Sequence, residues 1–186
     1  MILPIYIYGS AILRIPCVNI APNYSGLNDL IDNMFETMQN AHGVGLSAPQ
    51  IGFSINLFII DLSPYSEEDP SIPAIREVFI NPLILEEKGE ETVHNEGCLS
   101  IPGVREDVSR KSVISVKYLD QNFQEHVREI DGFFARVFQH EYDHLNKVLF
   151  IDYLSPLKKN IVNRKLISIQ KGKFQDLYPT ILKNNL

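Results

Sequence analysis

Residues 132–147 read GFFARVFQHEYDHLNK, and this stretch decides how the rest of the chain is interpreted. Its apolar spacing predicts a helix from about Gly132 to Lys147. His140 and His144 stand four residues apart, so a helix would project both imidazoles from one face, where they can bind one metal ion. The alternative is that both are exposed helix residues, because the same spacing arises by chance in unrelated chains.

Glu141 lies between the two histidines in sequence but is offset from their helical face. It can therefore reach a metal-bound water instead of the metal itself. Neutral imidazole is a good ligand for zinc or ferrous iron, and a bound divalent ion lowers the pKa of water to about 7. Hydroxide then becomes available at neutral pH, which favours hydrolytic chemistry.

A catalytic site of this type uses three protein ligands and leaves one position open, so a third ligand is needed. Proteases with the HEXXH pattern generally take it from downstream, but no histidine follows His144, and Asp152 and Asp176 lack a supporting pattern. Upstream, residues 96–100 read EGCLS, and Cys98 can present a thiolate there. The alternative is that Cys98 is a buried small hydrophobe.

The remaining elements predict an α+β domain, with antiparallel or mixed β-sheets packed around the central helix and helices near both ends. An amphipathic helix is expected over 25–42, with Gly43 as its C-terminal cap. A third helix is expected from Ser155, as N-cap, to about Gln170. The acidic, proline-rich stretch 63–73 is predicted to be a surface loop without chemistry. Strands are expected at 56–61, 78–85, 112–119 and 123–130.

The composition fits one domain over residues 1–186, because 45% of the residues are hydrophobic. The longest early uncharged run, 1–13, is interrupted by Pro4 and Gly9 and is too short for a membrane span. No basic segment precedes it, as a secretory signal would require, so we expect a cytoplasmic protein with no membrane partner. Two cysteines do not suggest a disulfide framework, and Cys17 is expected to be a core residue.

Charge is distributed unevenly along the chain. Residues 1–155 hold 10 basic and 22 acidic side chains, whereas 156–186 hold 7 basic and 1 acidic. The basic C-terminal helix or tail, about 155–186, is either a solvated helix face or a contact with nucleic acid.

Three motifs together resemble the signatures of the peptide deformylase family in their usual order. They are GVGLSAPQ at 43–50, EGCLS at 96–100 and QHEYDHL at 139–145. The opening ILPIYIYGSAILR is also similar, so the resemblance extends to about Leu154. Two residues depart from the family pattern. Ser47 replaces a common alanine, and Arg136 stands at an often aliphatic position near the substrate pocket, where it is expected to alter the shape of that pocket.

The resemblance implies a role for each candidate site residue. Glu141 would take a proton from the attacking metal-bound water and pass it to the leaving amine. The side-chain amide of Gln50 and the N–H of Leu99 would stabilise the oxyanion. Arg105 and Asp143 are candidate partners of the ligands. The implied metal ligands are Cys98, His140 and His144. The implied substrate-binding residues are Gly43, Val44, Gly45 and Gly97 along the peptide, and Phe133 and Val137 around the methionine side chain.

The implied substrate is a nascent peptide that begins with N-formylmethionine, and the implied metal is ferrous iron, with zinc, nickel or cobalt as replacements. The segment 158–173 is a candidate ribosome contact, and no DNA partner is expected. One alternative is a metalloendopeptidase, which would share the metal and Glu141. Another is a domain without catalytic activity, either with a structural metal that has Cys17 as fourth ligand or as an inactive ribosome-binding module.

Overall fold

A computed structural model of the chain describes residues 1–175 and 177–182. The strands within these residues are β1 (Ile5–Tyr6), β2 (Gly45–Ser47), β3 (Leu57–Asp61), β4 (Arg76–Gly97), β5 (Arg105–Leu119), β6 (Glu125–Asp131) and β7 (Thr180–Ile181). The α-helices are α1 (Leu27–Asn40), α2 (Ser63–Ser66), α3 (Gly132–Leu145) and α4 (Pro156–Gln170). Short 3-10 turns occur at Ala11–Arg14, Ala48–Ile51 and Phe150–Tyr153.

The strands form two sheets, and the predicted α+β class is confirmed. One sheet has five antiparallel strands in the order β2-β3-β4-β5-β6, and in the other β1 pairs in parallel with β7. Helix α3 packs on the larger sheet, where Phe138 lies edge-on to Phe58 and Phe79 at ring distances of 5.0 and 5.1 Å. This aromatic contact fixes the helix that carries both histidines against the sheet.

Helix α1 has the predicted amphipathic pattern, and its Met and Phe side chains are buried in the core. The predicted cap at Gly43 is wrong. His42 is the residue with positive φ, at 54°, after the helix ends. Gly43 has a different role, since a Cβ there would lie 2.8 Å from Cδ1 of Leu99. The glycine therefore allows the chain after α1 to approach Leu99 closely.

Strands β4 and β5 are longer than predicted. The expected ends at residues 85 and 112 are wrong, because the ladder continues to a pair between Gly97 and Arg105. Residues 86–96, EEKGEETVHNE, lack apolar alternation, so side-chain periodicity gives no strand signal there. The backbone ladder holds them instead, with register shifts between residues 80 and 91 that bend the hairpin.

The segment 63–73 contains the short helix α2 and is not only a loop. Tyr65 in this helix lines the cleft that Cys98 and His140 also line, and its ring centroid lies 6.3 Å from that of Phe133. The predicted loop is therefore partly helical and one of its rings borders the cleft, while the absence of chemistry in this segment stays a prediction.

Helix α4 begins as predicted, with the Ser155 hydroxyl accepting from the Lys158 N–H at 3.3 Å. It packs through Val162, Leu166 and Ile169, while most of its other side chains are exposed. The predicted basic tail includes residues 176 and 183–186, which lie outside the described residues. Among the helices of the described part of the chain, none is long and apolar enough to cross a membrane.

Candidate metal centre

Cys98, His140 and His144 come together although 42 residues separate the cysteine from the first histidine. One ligand atom from each lies within 4.8 Å of the others. The Cys98 Sγ is 3.3 Å from the His144 Nε2, and the two imidazole rings are 5.2 Å apart. Helix α3 supplies both histidines, and the turn after β4 supplies the cysteine. A thiolate and two imidazoles at this spacing are a suitable donor set for zinc or ferrous iron.

His140 is oriented by a carboxylate. Its Nδ1 lies 3.0 Å from an oxygen of the buried Glu96, which leaves Nε2 as the ligand atom. Burial lowers the pKa of His140, but the hydrogen bonds with Cys98 and Glu96 raise it by a larger amount. The pKa of His140 is therefore well above its ordinary value. The surroundings therefore favour positive charge at this ring, and a bound cation would supply that charge.

His144 has the opposite electrostatic environment. Complete burial, together with the nearby charge of His140, holds its pKa well below the ordinary value, so the ring is neutral. Its Nδ1 is buried and has no hydrogen-bond partner among the described residues. A neutral imidazole with its Nε2 beside a thiol sulfur is the form that a metal ion requires.

Behind the histidines lies a network of buried charges that sequence reasoning missed. Arg110 donates to both oxygens of Glu96, at 2.7 and 3.0 Å, and to Asp143 at 2.7 Å. Arg136 donates to the same Glu96 at 2.9 Å, and also to Thr92. Glu96 belongs to the EGCLS motif, so the sequence indicated its importance but not its partners. Arg110 had no local signal, because alternating charges on a strand usually indicate solvent exposure.

Two sequence expectations change in consequence. Arg105, a candidate partner of the ligands, is exposed and donates to Asn95 at 2.9 and 2.7 Å, and Arg110 occupies the buried position instead. Arg136 borders the cleft, but its guanidinium is only 4% exposed and is directed into the network. Its charge therefore stabilises Glu96, and the predicted effect on pocket shape is limited to its alkyl stem.

Glu141 is buried and contacts the GVGLSAPQ segment. The Ser47 hydroxyl is 2.5 Å from the Glu141 Oε2, and a Cβ added at Gly45 would lie 2.5 Å from the Glu141 Oε1. The family resemblance treated Ser47 as a neutral replacement, whereas here its hydroxyl binds the carboxylate. Burial raises the pKa of Glu141, so this carboxyl group holds a proton more readily than an exposed one.

Gln50 and Leu99 are distant from Glu141 in the sequence but border the same cleft. The Gln50 Oε1 accepts from the Ser47 N–H at 2.8 Å, and its Nε2 donates to the Ser100 hydroxyl at 3.2 Å and lies 3.6 Å from the Cys98 Sγ. The Leu99 N–H donates to no group in residues 1–175 and 177–182. Both N–H groups are therefore placed to donate to a ligand near the cysteine.

A cleft of about 460 Å³ opens over this cluster. The edge strand β2 with the preceding Gly43 and Val44 borders one side, and the end of β4 at Gly97 borders another. Phe133 and Val137 line its apolar end beside His140. Of the predicted site residues, only His144 and its candidate partner Asp143 do not line the cleft. The described ligand cluster does not include Cys17, which packs with apolar side chains and has a pKa raised to about 11 by burial.

Comparisons with known proteins show which chains this one is similar to. The family model described as polypeptide deformylase matches residues 2–160. Peptide deformylase of Christiangramia forsetii is 47% identical over 185 residues, covering 96% of this chain and 94% of that protein. The solved peptide deformylase of Legionella pneumophila is 36% identical with a TM-score of 0.82, covering 95% and 99%. A solved class I type b peptide deformylase of Acinetobacter baumannii, bound to Met-Ala-Ser, is 35% identical with a TM-score of 0.75, covering 83% and 99%.

Proposed function

Because this chain belongs to the peptide deformylase family, we propose that Cys98, His140 and His144 hold its metal ion and that Glu141 is its general base. The protein is a metal-dependent hydrolase that removes the N-formyl group from the N-terminal formylmethionine of newly made polypeptides, releasing formate. The convergence of the three ligand atoms beside a buried carboxylate is the observation that carries the proposal.

The donor set fits the proposed metal. A bound divalent ion supplies a water of lowered pKa and a Lewis acid for the formyl oxygen. Thiolate and imidazole ligands suit ferrous iron, which we propose for the cell, and also zinc, nickel or cobalt as replacements. Glu96 and Arg110 would hold His140 in the orientation that presents Nε2.

The protein's own groups would then handle the proton and the developing charge. Glu141 would accept the proton of the attacking water and deliver it to the departing amine, and its raised pKa favours this exchange. The side-chain amide of Gln50 and the backbone N–H of Leu99 would donate to the tetrahedral oxyanion. The Ser47 hydroxyl donates to the Glu141 carboxylate, and the Ser47 N–H donates to the Gln50 side chain. Ser47 therefore positions both catalytic groups.

The substrate would bind as an extended strand in the cleft. Strand β2 is at the sheet edge, so Gly43, Val44 and Gly45 can offer backbone groups, with Gly97 on the other side. Phe133 and Val137 would enclose the methionine side chain. The Met-Ala-Ser bound to the Acinetobacter baumannii protein has the form of a deformylated peptide, which supports this assignment.

We further propose that residues 1–186 form one catalytic domain that acts in the cytoplasm, where nascent peptides emerge from ribosomes. The basic segment 158–173 would contact ribosomal phosphates. Binding of the protein to purified ribosomes should then weaken steeply as salt is raised, and flat salt dependence would contradict the contact.

The function is tested by formate release from N-formylmethionyl-alanyl-serine, with protein loaded anaerobically with iron or nickel. Wild type should release formate. Glu141→Gln should keep its metal but lose activity, whereas Cys98→Ala should lose both. Glu125→Gln is the matched control, since that side chain pairs with Lys117 on the exposed β5–β6 edge. A metal-loaded wild type that leaves the peptide intact would overturn the proposed activity.

A further inference from the structure

The chain returns to the active-site cleft after α4. Residues 177–182, the return segment, lie beyond the stretch 2–160 that the family model matches. The Ile5 N–H donates to the Pro179 carbonyl at 2.9 Å, and the Ile7 N–H donates to the Ile181 carbonyl at 3.1 Å. These bonds and the β1–β7 pairing fasten the return segment to the N-terminal strand.

This fastening brings Tyr178 to the turn that carries Cys98. The Tyr178 hydroxyl donates to the Leu99 carbonyl at 2.7 Å. Burial raises the pKa of the Tyr178 phenol, so the hydroxyl keeps its proton and remains a donor at neutral pH. From the same side, the Tyr8 N–H donates to the Ser100 carbonyl at 2.7 Å. Two consecutive carbonyls of the turn are therefore held by the paired ends of the chain.

We propose that Tyr178 is a positioning residue that orients the Leu99 backbone for oxyanion binding. The inference rests on the proposed function, in which the Leu99 N–H donates to the oxyanion. That N–H and the carbonyl held by Tyr178 belong to the same residue, so fixing the carbonyl restricts the dihedral angles that set the N–H direction. The Leu99 side chain, which packs closely against Gly43, limits its movement on another side. A donor fixed before the reaction stabilises developing charge without reorganisation.

Loss of the Tyr178 hydroxyl should affect kcat and KM differently. An oxyanion develops only in the transition state, so loss of its alignment lowers kcat and leaves KM nearly unchanged. Tyr178→Phe removes the hydroxyl but keeps the ring, and kcat for N-formylmethionyl-alanyl-serine should fall about three- to tenfold, the effect of one neutral hydrogen bond. Tyr24→Phe is the matched control, because Tyr24 packs beside α1 and does not line the cleft, and its kcat should equal that of wild type.

A structural readout distinguishes positioning from simple loss of folding. In nitrogen-15 labelled protein, Tyr178→Phe should shift the Leu99 amide resonance, whereas hydrogen exchange at Ile5 and Ile7 should stay slow, because those amides report whether the return segment is bound. The inference would be overturned by an unchanged kcat, by a rise in KM as large as the fall in kcat, or by faster exchange at Ile5 and Ile7. An inactive wild type would instead contradict the proposed function, so the two failures are distinguishable.

Discussion

At the scale of single residues, Glu96 connects three other side chains inside the protein. Its carboxylate accepts from Arg110, Arg136 and His140, and both arginines are buried. These hydrogen bonds hold the pKa of Glu96 well below its ordinary value, although burial alone would raise it. The residue therefore neutralises buried arginine charge and orients His140, which we propose as a metal ligand.

Glu96→Gln should consequently impair both folding stability and metal binding. Removing one member of a buried charged network leaves uncompensated charge and should lower the free energy of unfolding by about 3–5 kcal/mol. Loss of the partner of His140 should weaken metal affinity by roughly 10- to 100-fold. Urea unfolding and competition with a chelator measure the two effects. Glu125→Gln, at an exposed ion pair, should change stability by less than about 1 kcal/mol.

Gly45→Ala should remove activity while the fold is retained. The added Cβ would lie 2.5 Å from the Glu141 Oε1, so the carboxylate must move away. A displacement of about 1 Å in a catalytic group costs roughly 100-fold in rate. The kcat for formate release and the circular dichroism spectrum are the measurements. Gly172→Ala, at a φ of 68°, strains the backbone but introduces a Cβ with no atom within 4 Å, so it should lower stability and leave kcat near that of wild type. A kcat as low as that of Gly45→Ala would refute the steric explanation.

Among the elements, β4 determines the shape of the site because it is long and irregular. Its first part pairs with β3, and only β5 pairs with its second part, which leaves the edge before Gly97 open to the cleft. At the bend, Asn81 has a φ of 48°, and its side chain exchanges two 2.9 Å hydrogen bonds with the Ile20 backbone. The irregular strand thus provides both a sheet and a border of the substrate site.

Asp61, the last residue of β3, should make the stability of the protein depend on pH. Burial raises the pKa of Asp61, but hydrogen bonds from Ser63 and Arg76 outweigh it, so the folded pKa lies below the ordinary 3.8. A lowered folded pKa stabilises the protein above the unfolded pKa, and this stabilisation is lost as pH falls through the folded value. Asp61→Asn should therefore be less stable than wild type by about 1 kcal/mol at pH 7, with a smaller difference near pH 3.

Denaturant unfolding of wild type and Asp61→Asn at both pH values measures this difference. Asp29→Asn is a control at an exposed position in the first turn of α1. A stability difference between wild type and Asp61→Asn that stays constant from pH 7 to pH 3 would show that charge is not the cause.

In the whole molecule, the acidic body and the basic C-terminal part are partly in contact. The ammonium group of Lys158 lies 3.5 Å from a carboxylate oxygen of Glu106, and that of Lys165 donates to the Gly103 carbonyl at 3.3 Å. The charge asymmetry of the sequence therefore serves internal packing in addition to any external partner. Helix α4 and the return segment together surround the turn that carries the cysteine ligand.

Metal removal should destabilise the whole molecule, because the proposed ion joins α3 to the turn after β4. A metal ion whose free concentration is about 1,000 times its dissociation constant adds roughly 4 kcal/mol to the free energy of unfolding. Chelation should therefore lower Tm by about 8–16 °C for a chain of this size. Differential scanning calorimetry before and after chelation, and after metal is returned, measures the change. In Cys98→Ala the shift should be much smaller, and an equal shift would indicate a different site.

The sequence by itself determined the three long helices, the fold class and the family. Helical periodicity and capping act within a few residues, so α1, α3 and α4 were predictable from 25–42, 132–147 and 155–170 alone. The paired histidines of α3 were local in the same sense. Cys98 was a candidate third ligand from the residues around it, and the resemblance to a family then implied the same role, although no local pattern links it to a helix 42 residues away.

Only the tertiary structure decided the partners of these groups. The contacts of Glu96 with Arg110 and Arg136, of Ser47 with Glu141, and of Tyr178 with Leu99 join residues that are 14 to 94 positions apart. The pairing of β1 with β7 joins the two ends of the chain. Such contacts arise from packing of several elements at once, which leaves no periodic signal in any one segment. For this reason the sequence predicted the proposed ligands, whereas it could not predict Arg110 and Arg136, the partners that hold Glu96 beside His140.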